Sequence, residues 1–207
     1  MRVERLRRIY SYLVVGLAVG QCVLVIVSWL LSAMMTGGVR SLLSGQGVRW
    51  FLGSLTSMLA SPLLVWLLLL SMAVGSLWQS GLLALPLRLR RERSLPTKER
   101  VALTISMLLL LLLITVVVAL TSLPHAPLLS ATGQLFPSAF SRAIVPLLAF
   151  AVIIVSLSFG MLSGGFRNVT DAICSLSYGI VKVAPLIVLY MLAILFYETL
   201  RFVLVLI

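Results

Sequence analysis

The chain has 207 residues, 61% of them hydrophobic and 10% charged, with a formal net charge of +11 and a mean hydropathy of +1.19. Soluble domains carry roughly 25% charged residues, so this chain cannot cover a globular surface with charge, and a soluble domain is excluded. Its Lys and Arg residues fall between apolar runs, as in loops at a membrane surface, and not on one recognition face, which argues against nucleic acid as a partner.

The first element follows Arg2, Arg5, Arg7 and Arg8 and runs over residues 9–34. It begins like a signal peptide, but its apolar part far exceeds the roughly 7–15 residues of a cleaved core. It reads as a retained signal-anchor helix. Gly16 and Gly20 stand at the spacing that lets membrane helices approach closely, a pattern repeated at Gly160 and Gly164.

Next comes SLLSGQGVRWFLGSLTSMLASPLL, residues 41–64, punctuated by Gly and Ser. Residues 48–59 suit a short, mildly amphipathic helix with Trp50 at interface depth. Ser61-Pro62 ends that helix and starts a full span over residues 62–83, because proline fits a first helical turn. A short helix, a break and a long helix describe either a re-entrant hairpin of the kind that lines transport sites or a surface helix leading into a span.

Residues 84–100 form a basic loop with Arg88, Arg90, Arg91, Arg93, Lys98 and Arg100. The third span, residues 101–123, contains VALTISMLLLLLLITVVVAL. Each Val, Leu or Ile contributes about −0.3 to −0.6 kcal/mol near the bilayer centre, so this run favours insertion by several kcal/mol. A fourth span covers residues 144–162, where Val145-Pro146 reads as a helix start. In GGFRNVTDAICSLSYGIVK, Asn168 or Thr170 caps a short amphipathic helix over residues 168–180, with Asp171 in its first turn. The fifth span, residues 183–207, opens at Ala184-Pro185, where a break or kink is expected.

The expected fold is therefore all-α: one polytopic transmembrane domain of about five spans, with a short re-entrant or interfacial helix before the second. Spans of about 20 residues suffice to cross a bilayer. Arg167 and Lys182 lie between the fourth and fifth spans, so twelve of the sixteen basic residues fall on one side and Arg40, Arg49, Arg142 and Arg201 on the other. The positive-inside rule then gives a cytoplasmic N-terminus and an external C-terminus.

Cysteine occurs only at Cys22 and Cys174, and the lone histidine, His125, has no other ligand type beside it. No metal, no cofactor and no catalytic constellation is expected: HExxH, Gly-x-Ser-x-Gly and phosphate-binding glycine loops do not occur.

Two stretches carry a family resemblance. SLLSGQGVRWFLGSLTSMLASPLLVWLLLLSMAVGSLWQSGLL resembles the N-terminal region of the AbgT family of p-aminobenzoyl-glutamate transporters, through SGQGVRW and QSGLL together. GGFRNVTDAICSLSYGIVKVAPLIVLYMLAILFYETLRF is similar to a later segment of that family, in the same order. The resemblance implies a secondary transporter of the bacterial inner membrane. Family members pair nine spans with two re-entrant hairpins, form homodimers, and move p-aminobenzoyl-glutamate or export sulfonamides. They are much longer than this chain, and their polar C-terminal hairpin has no counterpart here.

The expected function is accordingly transport of p-aminobenzoyl-glutamate or a related small organic anion, by a homo-oligomer or with another membrane subunit. The alternative is a non-transporting subunit that stabilises or regulates another membrane complex. The candidate substrate-path residues are Arg49 and Trp50, Ser57 and Ser61 at the break, and Asn168 and Asp171. Each has a plainer role open to it, interface anchoring for the first two and helix capping for the others.

Overall fold

In the computed structural model, residues 2–34, 39–86, 96–122 and 139–204 are described. They form six α-helices and no strand: α1 (Arg2–Ala33), α2 (Gly45–Leu59), α3 (Pro62–Gln79), α4 (Thr97–Ser122), α5 (Ala139–Ser163) and α6 (Val169–Val203), with a 3-10 turn at Leu82–Ala84. Five stretches are long and apolar enough to cross a membrane: Ile9–Ala33, Gly45–Gln79, Thr97–Thr121, Ala143–Ser163 and Val169–Val203. The protein is an all-α, multi-pass membrane protein. His125 and the arginines of residues 87–95 lie outside the described residues.

The chain forms two compact units, Met1–Val65 with Ala184–Ile207, and Trp66–Val183. Their boundaries fall inside α3 and α6.

In the first unit, the SGQG motif explains the start of α2. The Ser44 hydroxyl donates to the Ser41 carbonyl at 2.7 Å and accepts the Gly47 N–H at 3.0 Å, which gives an acceptor to one of the N–H donors that a helix start leaves unpaired. Glycine is required at 47, because a Cβ there would lie 2.4 Å from Ser41 O and 2.6 Å from Leu42 O. The loop thus folds down on the first turn. It is fastened to α1 by Ser28, buried completely, whose hydroxyl accepts the Leu42 N–H at 3.2 Å. Arg40 N–H donates to Val203 O at 3.1 Å, and Leu42, Phe202 and Val203 form the unit's core with Trp50 against it.

The break in the quoted stretch falls where its proline predicts. α2 ends at Leu59, Ala60 N–H closes it on Thr56 O at 2.9 Å, and α3 starts at Pro62. Two other prolines behave differently from the sequence expectation. Pro146 does not start its helix, since α5 begins at Ala139; Pro185 lies within α6, which is one helix where a short helix and a separate span were expected. A proline inside a helix removes one amide donor, a loss that membrane helices tolerate when neighbours satisfy the freed groups. Near Pro185 the helix also takes a bond from α1: the Tyr10 hydroxyl donates to the carbonyl of Pro185 itself.

The second unit is built on glycine. A Cβ at Gly75 of α3 would lie 2.5 Å from Gly179 N and 2.6 Å from Gly179 Cα, and one at Gly179 of α6 would lie 1.8 Å from Ser71 O. The two backbones are in contact, the close approach that small residues give to membrane helices. Beside this crossing, Ala73, Ala149 and Ile153 pack with Leu176, which ties α5 to α3 and α6. Leu85, Ala102 and Phe159 form a further cluster that joins α4 and α5.

Candidate functional site

Four of the six residues singled out in the sequence belong to the first unit. Trp50 stacks on Phe202 of α6, with ring centroids 4.0 Å apart and planes inclined at 14°. The Arg40 guanidinium lies 5.8 Å from the same Phe202 ring, within cation–π range. Arg49, the next residue along α2, is exposed and takes no part in this cluster. Ser57 is exposed and donates to Ser54 O at 2.8 Å, within its own helix. Ser61, at the break, shares a hydrogen bond with the Tyr190 hydroxyl of α6.

Trp50 and Ser61 therefore both engage α6, but at positions twelve residues apart, which is roughly 18 Å along a helix axis. They do not make one site. They are two rungs of an antiparallel packing in which Tyr190 and Phe202 are the partners that sequence reasoning missed. A separate polar contact, Thr199 donating to Gln21 Oε1 at 3.0 Å, ties α6 to α1.

Asn168 and Asp171 belong to the second unit. The Asp171 carboxylate accepts from the backbone N–H groups of Arg167 at 3.0 Å and Asn168 at 3.4 Å. This is the reach-back half of a capping box, with the acid at the third helical position. Asn168 is exposed at the helix start. The pair's geometry is that of a helix cap, and a carboxylate there also complements the positive end of the helix dipole. Replacing Asp171 by Ala is expected to cost about 0.5–1 kcal/mol of stability, read as a lowered melting temperature in detergent. Asp171→Asn, which keeps an acceptor, should recover part of it.

Polar groups do gather elsewhere in this unit, where α3 and α5 end. A cavity of about 300 Å³ is lined by Gln79, Ser80, Glu99 and Ser163. Both helices close with a glycine in the left-handed region, Gly81 at φ 79° and Gly164 at φ 82°, the conformation that commonly ends a helix. A Cβ at the neighbouring Gly165 would lie 3.4 Å from both Gly160 O and Ser80 O, and 3.6 Å from Ser163 Oγ. Two helix C-termini and several side-chain oxygens make this an acceptor-rich pocket. The QSGLL and LSGGF sequences are the signal that points to it, since a Ser-Gly pair after an apolar run marks a helix end.

Another opening in this unit is of a different kind. Between α4 and α5 a space of about 330 Å³ is walled by Leu110, Leu113, Val117, Leu147 and Ile154, without a polar side chain among its lining residues.

Most buried hydroxyls bond within their own helices. Ser71, Ser76 and Ser175 donate to carbonyls three residues back, at 2.7, 2.9 and 2.6 Å, and Ser156 to the carbonyl four residues back at 2.6 Å. Ser106, 1% exposed, is an exception, with no partner among the described residues. Among the described residues no group of three or more His, Cys, Asp or Glu side chains could hold a metal ion.

The fold and these contacts define a class: a multi-pass helical membrane protein whose helices meet through small, aliphatic and aromatic residues. Set against family models, curated proteins and solved structures, the chain matches none.

Proposed function

We propose that this chain is an AbgT-like membrane transport protein that works in an assembly, as a homo-oligomer or with another membrane subunit. Its cargo is p-aminobenzoyl-glutamate or a related small organic anion. One observation supports the reading beyond the sequence resemblance: the two resembling segments are packing partners. Trp50 lies on Phe202 and Ser61 bonds Tyr190 in one unit, and Gly75 lies on Gly179 in the other. The setting that goes with this reading is a bacterial inner membrane, with the N-terminus cytoplasmic and the C-terminus external, supported by the distribution of Lys and Arg.

A second reading is favoured by a different observation. Several of the buried serines spend their hydroxyls on their own helices, as in a dry, packed bundle. A non-transporting subunit that stabilises or regulates another membrane complex needs nothing more. Uptake of labelled p-aminobenzoyl-glutamate into proteoliposomes separates the two: a transporter accumulates label under a proton or sodium gradient, and a packing subunit stays at the level of empty liposomes.

A further inference from the structure

The Gly75–Gly179 crossing leaves more than a close contact. Beside it the surface has a hollow of about 310 Å³, with Trp78 and Lys182 among its lining residues. Nearly all of that lining is apolar. Lys182, exposed, supplies its one charged group, and its ammonium lies 5.4 Å from the centroid of the Tyr178 ring, which also lines the hollow. Trp78 is 66% exposed, with an indole N–H able to donate.

Each part of this arrangement suits a different part of one kind of molecule. Val74 and Val183, with the faces of the Trp78 and Tyr178 rings, give the hollow an apolar wall, which fits a hydrocarbon chain. Trp and Tyr are the residues that settle at the level of lipid headgroups, with an apolar ring and a polar tip. A lysine beside them, its stem along the apolar wall and its ammonium turned to the headgroup region, attracts an anionic group in place. Basic pockets between membrane helices are where anionic headgroups bind.

We infer that the hollow beside Gly75 and Gly179 is a binding site for an anionic phospholipid, with the headgroup phosphate on Lys182 beside Trp78 and Tyr178 and an acyl chain against the apolar wall of Val74 and Val183. The charge selects the headgroup and the apolar wall holds the chain. Hence a lipid is bound where a soluble phosphate is not.

The test is native mass spectrometry of the full chain in detergent, titrated with phosphatidylglycerol or phosphatidylcholine of the same acyl chains. One lysine near an anionic group is worth about fivefold in affinity, so phosphatidylglycerol should bind about fivefold more tightly. Lys182→Gln should bring the two lipids level, whereas Lys98→Gln, outside the hollow, should leave the preference intact. Brominated phosphatidylglycerol should quench the part of the tryptophan emission that Trp78→Phe removes, and excess glycerol 3-phosphate should not displace the lipid. Equal binding of both lipids by the unaltered protein, a preference that survives Lys182→Gln, no quenching at Trp78, or displacement by glycerol 3-phosphate would each overturn the proposal.

Discussion

Gly179→Val will destabilise the protein by about 2 kcal/mol or more, and Gly179→Ala will do so as well. Inserting even one carbon into a packed site typically costs about 1–3 kcal/mol when the surroundings have to move. Here the obstacle is backbone. A Cβ on Gly179 would stand 1.8 Å from the Ser71 carbonyl oxygen, and no rotamer change relieves that. The helices must separate, which also uncovers Ala73 and Leu176 beside the crossing. The gain in helix propensity from Gly to Ala, about 1 kcal/mol, works in the opposite direction and is too small. The comparison that isolates the effect is Gly16→Ala and Gly53→Ala. Both lie inside helices with nothing within 4 Å of an added Cβ, so both should leave stability level or raise it. Thermal unfolding in one detergent reads all four variants; a Gly179→Ala protein as stable as the unaltered one would show that the backbones are not in contact.

Phe202→Ala should cost about 3 kcal/mol or more, the usual range for emptying a buried aromatic position. Phe202 is 5% exposed and lies in a core with Leu42 and Val203, and its ring is shared by two partners, Trp50 and Arg40. Trp50→Ala should cost less, about 2 kcal/mol, because that ring is only half-buried and part of its area is already outside the core. The coupling between them is the specific quantity. A double-mutant cycle with Trp50→Leu and Phe202→Leu keeps most of the apolar volume and removes the stacking. Aromatic pairs give about 0.5–1.5 kcal/mol in such cycles. A coupling near zero would mean that the two rings do not meet.

Much of this architecture is legible in the sequence, for reasons that differ from element to element. α4 is legible because a run of Val, Leu and Ile between Lys98, Arg100 and the following Pro124 has no other stable environment than a bilayer. The break between α2 and α3 is legible because Ser61-Pro62 combines an N-terminal signal with a residue that has no N–H. Pro146 and Pro185 show the limit of the same signal: proline marks a first turn or sits within a helix according to what precedes it. At α5 and α6 the preceding residues are themselves helical.

The close crossing shows a second limit. Spacing of small residues drew attention to Gly16, Gly20, Gly160 and Gly164. Gly16 has nothing near it, Gly20 meets the Phe196 ring, a Cβ on Gly160 would meet the Phe166 ring, and Gly164 ends its helix at φ 82°. The backbone-to-backbone contact is made by Gly75 and Gly179, which stand alone in their helices. An isolated glycine in a helical run announces a packing reason, but its partner is fixed by tertiary structure. The same holds for the candidate site residues. Ser61 was legible as a break, and its bond to Tyr190 was not, because nothing in the spacing of either residue ties them together.

The most direct test of transport as the function is uptake of labelled p-aminobenzoyl-glutamate by proteoliposomes containing the purified full chain, with and without a proton or sodium gradient. The account predicts gradient-driven accumulation above empty liposomes, and a several-fold fall for Ser61→Leu, which removes the hydroxyl at the helix break. Label no higher than in empty liposomes, from protein whose cooperative unfolding shows it to be folded, would contradict transport by this chain and leave the packing subunit as its role.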